Sequence, residues 1–493
     1  MKEKKQTKSL TKNSIFYLLY NFLNIAFPLI TGIYVAHVLL PYSIGLIESA
    51  RNLTQYFVIL AFLGIPTYGL REIAKSRNDR QTLNKTYSEL MILNGISTLF
   101  FAIVYFSLIV SVPFYRGKIL IYSITGISIV LNFFNNSWLY EGLEEFKYIS
   151  LRNLLFKIIS FILLLILVRS QDDYLWYAII TILGTAGNYF FNVLKSKKFV
   201  SFSFKNINLK KHLVPILFLV FVNLAIEIYS LVDVTMLNFM CDEETVAFYS
   251  YGMKIFKILL QLINTFTIVI VPRISFYYKE KNFASFNQLI TKTLKIIFCI
   301  TCPCVLGIWF TSGFLIPAVY GSKYIHSASV LNILSIILLI APVGYLLGSR
   351  VLLITGNEKK MIYPVLAGAV VNLASNFVLI NLYRELGAAI ASLLGEIVVM
   401  AIYVSLGKRY FKLFRCNESV IRYFIAILLM ATFLICSRLL PTNALIITIV
   451  QITGSILIYS IVLYILKEDI VLEVSDKIKK RVLSILRIKN EKN

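Results

Sequence analysis

Apolar runs of about twenty residues, separated by short polar loops, recur along the whole chain. A helix that crosses a bilayer needs about 20 largely apolar residues. Read with that window, the pattern predicts spans near 14–38, 43–68, 88–112, 119–139, 153–168, 175–194, 213–238, 246–271, 293–312, 328–350, 362–382, 387–406, 421–437 and 444–466. The chain is therefore expected to be an all-α polytopic membrane protein of about fourteen transmembrane helices. Pro28, Pro66, Pro215, Pro303, Pro342 and Pro364 are expected to interrupt or cap these helices and to serve as bending points.

Charge in the loops tests the count. With the N-terminus on the cytoplasmic side, alternate loops, the N-terminus and the C-terminal tail hold 39 Lys and Arg. The opposite loops hold only Arg116, Lys118, Arg169, Lys323, Arg384 and Arg438. Cytoplasmic loops carry the Lys/Arg excess, and one miscounted helix flips every loop after it. Fourteen spans with both termini cytoplasmic follow.

Composition agrees with this reading. Of 493 residues, 58% are hydrophobic and 15% charged, where soluble domains carry about 25% charged residues. The net charge of +24 would suit nucleic acid in a soluble chain. Its placement in one set of loops instead reads as an orientation signal facing anionic lipid. In the tail, Val471, Val474, Ile478, Val482 and Ile485 recur at helical intervals between lysines, the pattern of an interfacial amphipathic helix. The basic N-terminus leads into an apolar run too long for a signal-peptide core, so the first helix is expected to stay. Six cysteines propose no disulfide framework, and "CITCPC" (299–304) is read as packing in mid-span. His37, His212 and His326 form no metal cluster. No phosphate-binding G-x-x-x-x-G-K-[ST] occurs.

Four cations fall inside the predicted spans: Arg51, Lys157, Lys254 and Lys257. The clear acids there are Glu48, Glu227, Asp233 and Glu396. Ionisable side chains are costly in hydrocarbon and by default face a cavity or a partner. Arg51 and Lys254 each lie about eight residues, or about 12 Å, from the outer end of their span, and Lys257 is one turn beyond Lys254. Lys157 stands near a cytoplasmic end, where snorkelling to the interface is the simpler reading. Internal ion pairing, with Glu48 beside Arg51, competes with a binding role for the other three.

Adding 203 to the numbering lays "PYSIGLIESARN" over "ETVAFYSYGMKI" and sets Arg51 on Lys254. The flanking plan of helix, short outer loop, helix and basic loop also repeats. Two six-helix units starting on the same side make a parallel repeat, with boundaries at 1–212, 213–415 and 416–493. In such an arrangement Arg51 and Lys254 are expected to meet near the midplane. A cationic cleft inside a membrane suits an anionic headgroup. Arg offers a planar fork matched to phosphate, and Lys adds a point charge. A pyrophosphate on a lipid tail fits, since its tail stays in the bilayer. Glu48 would orient Arg51 in the empty site, and Tyr251 is a candidate for binding sugar hydroxyls in the cavity. Glu227, Asp233 and Glu396 are candidates for carrying a coupling H⁺ or Na⁺. Pairing with the cations is the equal alternative for all three, and Asp233 is near enough to the outer end of its span to be merely solvated.

Three stretches carry a resemblance: "YGLREIAKSRND" (68–79), "SWLYEGLEEFKYISLRNLLFKIISF" (137–161) and "VDVTMLNFMCDEETVAFYSYGMKIFK" (232–257). With them the chain resembles the Wzx-type polysaccharide flippases of the multidrug/oligosaccharidyl-lipid/polysaccharide exporter superfamily. The resemblance implies two six-helix lobes around a V-shaped cavity, plus helices 13 and 14. It implies a cargo of undecaprenyl-pyrophosphate-linked oligosaccharide, turned to the outer leaflet of a bacterial inner membrane by cation-coupled alternating access. Arg51 and Lys254 sit where related flippases carry cavity cations, and Asp233 where the family often has an acid. A polymerase and a chain-length regulator of the same pathway are the partners it implies.

Rival functions remain in view. A multidrug exporter of the same superfamily needs a cavity suited to cations, which three cavity cations oppose. A lipid II flippase is closer, and composition does not separate it. A membrane glycosyltransferase or polymerase usually carries a large catalytic loop, and no loop here offers paired acids or an Asp-x-Asp site, so no enzyme is expected.

Overall fold

The computed structural model describes residues 24, 27–204, 207–410, 417–440, 443–476 and 479. Every predicted span has a helical counterpart there. We label them α1 (Phe27–Val38), α2 (Pro41–Ser76), α3 (Arg80–Ser111), α4 (Ile119–Gly142), α5 (Phe146–Leu167) and α6 (Tyr174–Ser196). Next come α7 (Lys210–Met240), α8 (Glu243–Lys279), α9 (Phe283–Tyr320) and α10 (His326–Ile354). Helices α11 and α12 run together through Ile362–Gly407, and Arg384 (φ 51°, ψ −125°) marks the kink between them. Last are α13 (Asn417–Ser437) and α14 (Ala444–Ile465). Among the described residues there is no strand. The first predicted span, 14–38, is described only at 24 and from 27, and the amphipathic tail only to 476 and at 479, so the beginning of the one and most of the other lie outside the described residues.

Packing divides the chain into two units, Met1–Ser250 and Tyr251–Asn493. The boundaries read from the sequence follow a topological repeat, a different criterion. Both units expose apolar stripes. Ile96, Leu99, Phe100 and Ile103 on α3 are all more than half exposed, at the i, i+3, i+4, i+7 spacing of one helix face. In the second unit Leu445, Ile449 and Ile456, each more than half exposed, line one face of α14 at i, i+4 and i+11. Such faces need lipid to cover them.

Within the first unit, α2 breaks where its sequence says it should. Leu63 and Gly64 are both left-handed (φ 50° and 69°), and Ile65-Pro66 restarts the helix with proline in its first turn. A Cβ on Gly64 would also lie 2.9 Å from Leu219, so the break lets α7 approach closely. Two of the three stretches that carry the resemblance, 68–79 and 137–161, dock on each other here. Gly69 lies beneath the Trp138 ring, and Gly142 against Ile73. Trp138, Leu139 and Tyr140 are almost fully buried, and Arg77 pairs with Glu144 at 2.7 Å.

A buried polar cluster ties α2, α3 and α7. The Glu89 carboxylate accepts from Lys211 Nζ (2.7 Å) and from His212 Nε2 (2.9 Å), and from the backbone N–H of Asn208 (2.8 Å). His212 Nδ1 then accepts from the Tyr68 hydroxyl (2.8 Å).

In the second unit α10 packs between α9 and the α11–α12 pair, while α13 and α14 pack on each other and on α9. The α9 contact is made by Cys299, Tyr423, Met430, Leu434 and Tyr459. Pro215 and Pro303 lie inside helices α7 and α9 that continue through them. They do not interrupt their helices as expected. Pro342 instead stands just before a π-helical turn, Tyr345–Arg350, in α10.

Candidate functional site

Arg51 is on the unbroken first part of α2. Its Nη1 lies 3.6 Å from Glu48 Oε1, and the two side chains are 40% and 15% exposed. The i,i+3 spacing alone brings them together. The guanidinium lines a cavity of about 180 Å³ inside the first unit, whose other walls are largely hydroxyl and amide groups: Thr54, Gln55, Thr125, Ser128, Asn132, Thr181 and Thr185. A half-exposed arginine over such a surface presents donors to an anionic oxygen group.

The next residue locks the helix. Asn52 donates to Thr235 Oγ1 (2.7 Å) and to the Leu231 carbonyl (3.2 Å), and Tyr56 shares a hydrogen bond with the same Thr235 (3.0 Å). These bonds fix α2 against α7 and so fix the rotation that turns Arg51 to its cavity. Asp233, two residues before Thr235, is buried at 2% exposure and accepts a 2.5 Å hydrogen bond from the Tyr249 hydroxyl. This corrects the expectation that it could be merely solvated: α8 turns back beside α7 and covers it. Glu227, on the same helix, is half-buried.

In the second unit Lys254 is half-buried, with Nζ 4.5 Å from the centre of the Tyr251 ring. Tyr251 itself is fully buried. Its ring packs on Tyr320 (4.3 Å) and Tyr324 (4.7 Å), and it supports the lysine from below as part of the core. Lys257 is exposed. Glu396 is buried at 8% on α12, within electrostatic reach of Tyr345 and Tyr403 beside the π-helical turn.

Lys157 differs most from its sequence reading. It does not snorkel: it is buried at 5% exposure, and its Nζ donates to Asn24 Oδ1 at 2.7 Å. It lines a second cavity of about 290 Å³ with Glu141, Arg152, Asn135, Asn188 and Trp138. The polar run "NFFNNSW" (132–138), unusual in a span, was the signal that could have drawn attention to this place. Among the described residues no group of His, Cys, Asp and Glu is arranged to hold a metal ion.

Comparison with known proteins agrees with this architecture. The chain is 23% identical over 399 residues to a candidate O-antigen transporter of Escherichia coli (strain K12), covering 78% of this chain and 92% of that one. It is 28% identical over 186 residues to the lipid II flippase MurJ of Bacillus subtilis (strain 168), covering 35% and 34%. Among solved structures, a lipid II flippase MurJ in an inward closed conformation superposes with a TM-score of 0.76 at 18% identity, over 93% of this chain and 99% of that one. An inward-facing multidrug resistance MATE transporter of the MOP superfamily gives 0.64 at 16% identity, over 78% and 93%. These similarities show the fold of that superfamily. The MatE family model matches residues 219–378. The model described as polysaccharide biosynthesis protein matches residues 10–278, more than half of the chain, and the protein belongs to that family.

Proposed function

We propose that the protein is a flippase for lipid-linked oligosaccharide. It turns undecaprenyl-pyrophosphate-linked repeat units from the cytoplasmic to the outer leaflet of a bacterial inner membrane by alternating access, coupled to H⁺ or Na⁺. One observation carries this reading. Arg51, in the middle of a membrane span, opens half-exposed onto a cavity walled by hydroxyls and amides, and the chain belongs to a polysaccharide biosynthesis family. The guanidinium takes the pyrophosphate, and Glu48 holds it in place when no cargo is bound. Lys254 is the corresponding cation of the second unit. Asp233 and Glu396 are buried carboxylates and carry the coupling ion in this reading.

The test is made in a strain lacking the gene, by asking which leaflet holds the lipid-linked oligosaccharide, using its access to an added glycosidase. Single repeat units held in the protected inner leaflet are expected. Accumulation on the accessible outer face would instead point to a polymerase defect, and none at all would reject this cargo.

A second reading, a flippase for lipid II, draws on the extent of the MurJ superposition. Accumulation of the peptidoglycan precursor in place of the repeat unit in the same extract would select it.

A further inference from the structure

Between α6 and α7 the chain leaves the helical conformation at Val200 and runs alongside the first turns of α3. The Ser201 backbone N–H donates to Asn84 Oδ1 (2.8 Å), and that of Ser203 to Ser88 Oγ (3.0 Å). Asn208 follows on Glu89 (2.8 Å). Alternate residues are thus tied to α3, and the two between and beyond them, Phe202 and Phe204, are 49% and 76% exposed. Their rings meet edge to face with centres 5.0 Å apart, a favoured aromatic geometry. Large aromatics held outward by a pinned backbone mark a contact surface.

Beside them lies an apolar groove of about 460 Å³, within the range of ligand pockets, roughly 300–1,000 Å³. Met91, Ile92 and Ile96 of α3, Phe133 of α4 and Val193 of α6 wall it together with the two phenylalanines, and the exposed Lys197 also lines it. Ile96 begins the stripe that continues through Leu99, Phe100 and Ile103, so the groove is continuous with the surface that lipid must cover. It shares no lining residue with the Arg51 cavity.

We propose that this groove seats one acyl chain of an anionic phospholipid whose headgroup lies on Lys197. The chain enters from the α3 stripe, where lipid already stands. The headgroup sign follows from Lys197 and from the loop it begins, one of the basic loops that face anionic lipid. Aromatic rings beside a lysine are the pair that anchors a protein at the headgroup level. This lipid site goes beyond the flippase reading and does not depend on which cargo is carried.

Trp138 reports on the site, because its ring lies 5.8 Å from that of Tyr87, which lines the groove. The test uses the purified full-length protein in detergent, with Trp176 and Trp309 replaced by Phe so that Trp138 alone emits among the three tryptophans. Phosphatidylglycerol and phosphatidylcholine carrying the same brominated acyl chains, which quench a nearby indole, are titrated separately. Saturable quenching is expected, with phosphatidylglycerol binding about fivefold more tightly, the effect of one lysine at an anionic surface. Lys197→Gln should remove that preference, and Phe202→Ala combined with Phe204→Ala should weaken both lipids. All three positions are exposed, so the variants should unfold at an unchanged temperature without added lipid; if the double variant does not fold, Lys197→Gln carries the test. Equal quenching by the two headgroups overturns the anionic assignment. Quenching that none of the variants alters, or none at all, overturns the groove as the site. Displacement of the brominated lipid by undecaprenyl phosphate more readily than by plain phosphatidylglycerol makes the occupant the cargo's tail, and overturns the phospholipid.

Discussion

At the scale of single residues, Arg51 and Glu89 show two uses of charge in one unit. Arg51 makes a half-exposed contact with Glu48 at 3.6 Å. Arg51→Ala should reduce export at least about tenfold, the cost of a charge-assisted hydrogen bond, while the protein still inserts and unfolds at an unchanged temperature. Normal export by that variant would falsify the pyrophosphate role. Glu89 is fully buried and holds Lys211, His212 and the Asn208 N–H together. Removing one member of a buried ionic network strands the others, at a cost of about 3 kcal/mol or more. Glu89→Ala is therefore expected to lower the unfolding temperature in detergent, and no such drop would mean that the cluster is solvated.

At the scale of elements, helix ends and close approaches decide the outcome. Asp79 caps α3, accepting from the Gln81 and Thr82 N–H groups (3.0 and 3.3 Å) and from the Thr82 hydroxyl. The Thr82 hydroxyl first, and then the backbone N–H groups, hold its carboxyl below the usual carboxylate range. A group whose pKa is lowered by folding stabilises above its unfolded pKa, roughly 3.9, and that stability is lost as pH falls through the folded value. Asp79→Ala should lower the unfolding temperature at pH 7, and the gap to wild type should narrow as the scan is repeated below about pH 4. Gly142 sits 2.7 Å, measured from an added Cβ, from Ile73 and 3.1 Å from the Leu70 carbonyl. Gly142→Val overpacks this contact and should cost about 1–3 kcal/mol, read as a lower unfolding temperature. The "GIP" at 64–66 was legible as a break, because a left-handed glycine and a first-turn proline are local requirements. The π-helical turn before α11 was not, because its cause lies in how α10 packs on α12: Gly348 faces Tyr403, 55 residues further on.

At the scale of the whole molecule, the apolar stripes of both units require a bilayer, and the loop charges predict its orientation. A phosphatase that is active only outside the cytoplasm, fused after residue 493, should be inactive, whereas a fusion in the loop at Lys323 should be active. The reverse pattern would overturn the assignment of both termini to the cytoplasm.

The sequence by itself determined the number of helices, the membrane as their solvent and the pairing of Glu48 with Arg51, but several helices run well past the predicted windows, as Phe283–Tyr320 does past 293–312. Each of those three follows from length, composition or i,i+3 spacing within one element, and needs no partner. Only the tertiary structure decided that Lys157 is held by Asn24, 133 residues away, and that Asn52 meets Thr235 across 183. It also buried Asp233 under Tyr249 and set Tyr251 into the core. The reason is physical. A spanning helix such as α3 is apolar around most of its surface, so its own sequence has little amphipathic direction. Its rotation, and with it the cavity each charge faces, is set by the neighbours it packs against.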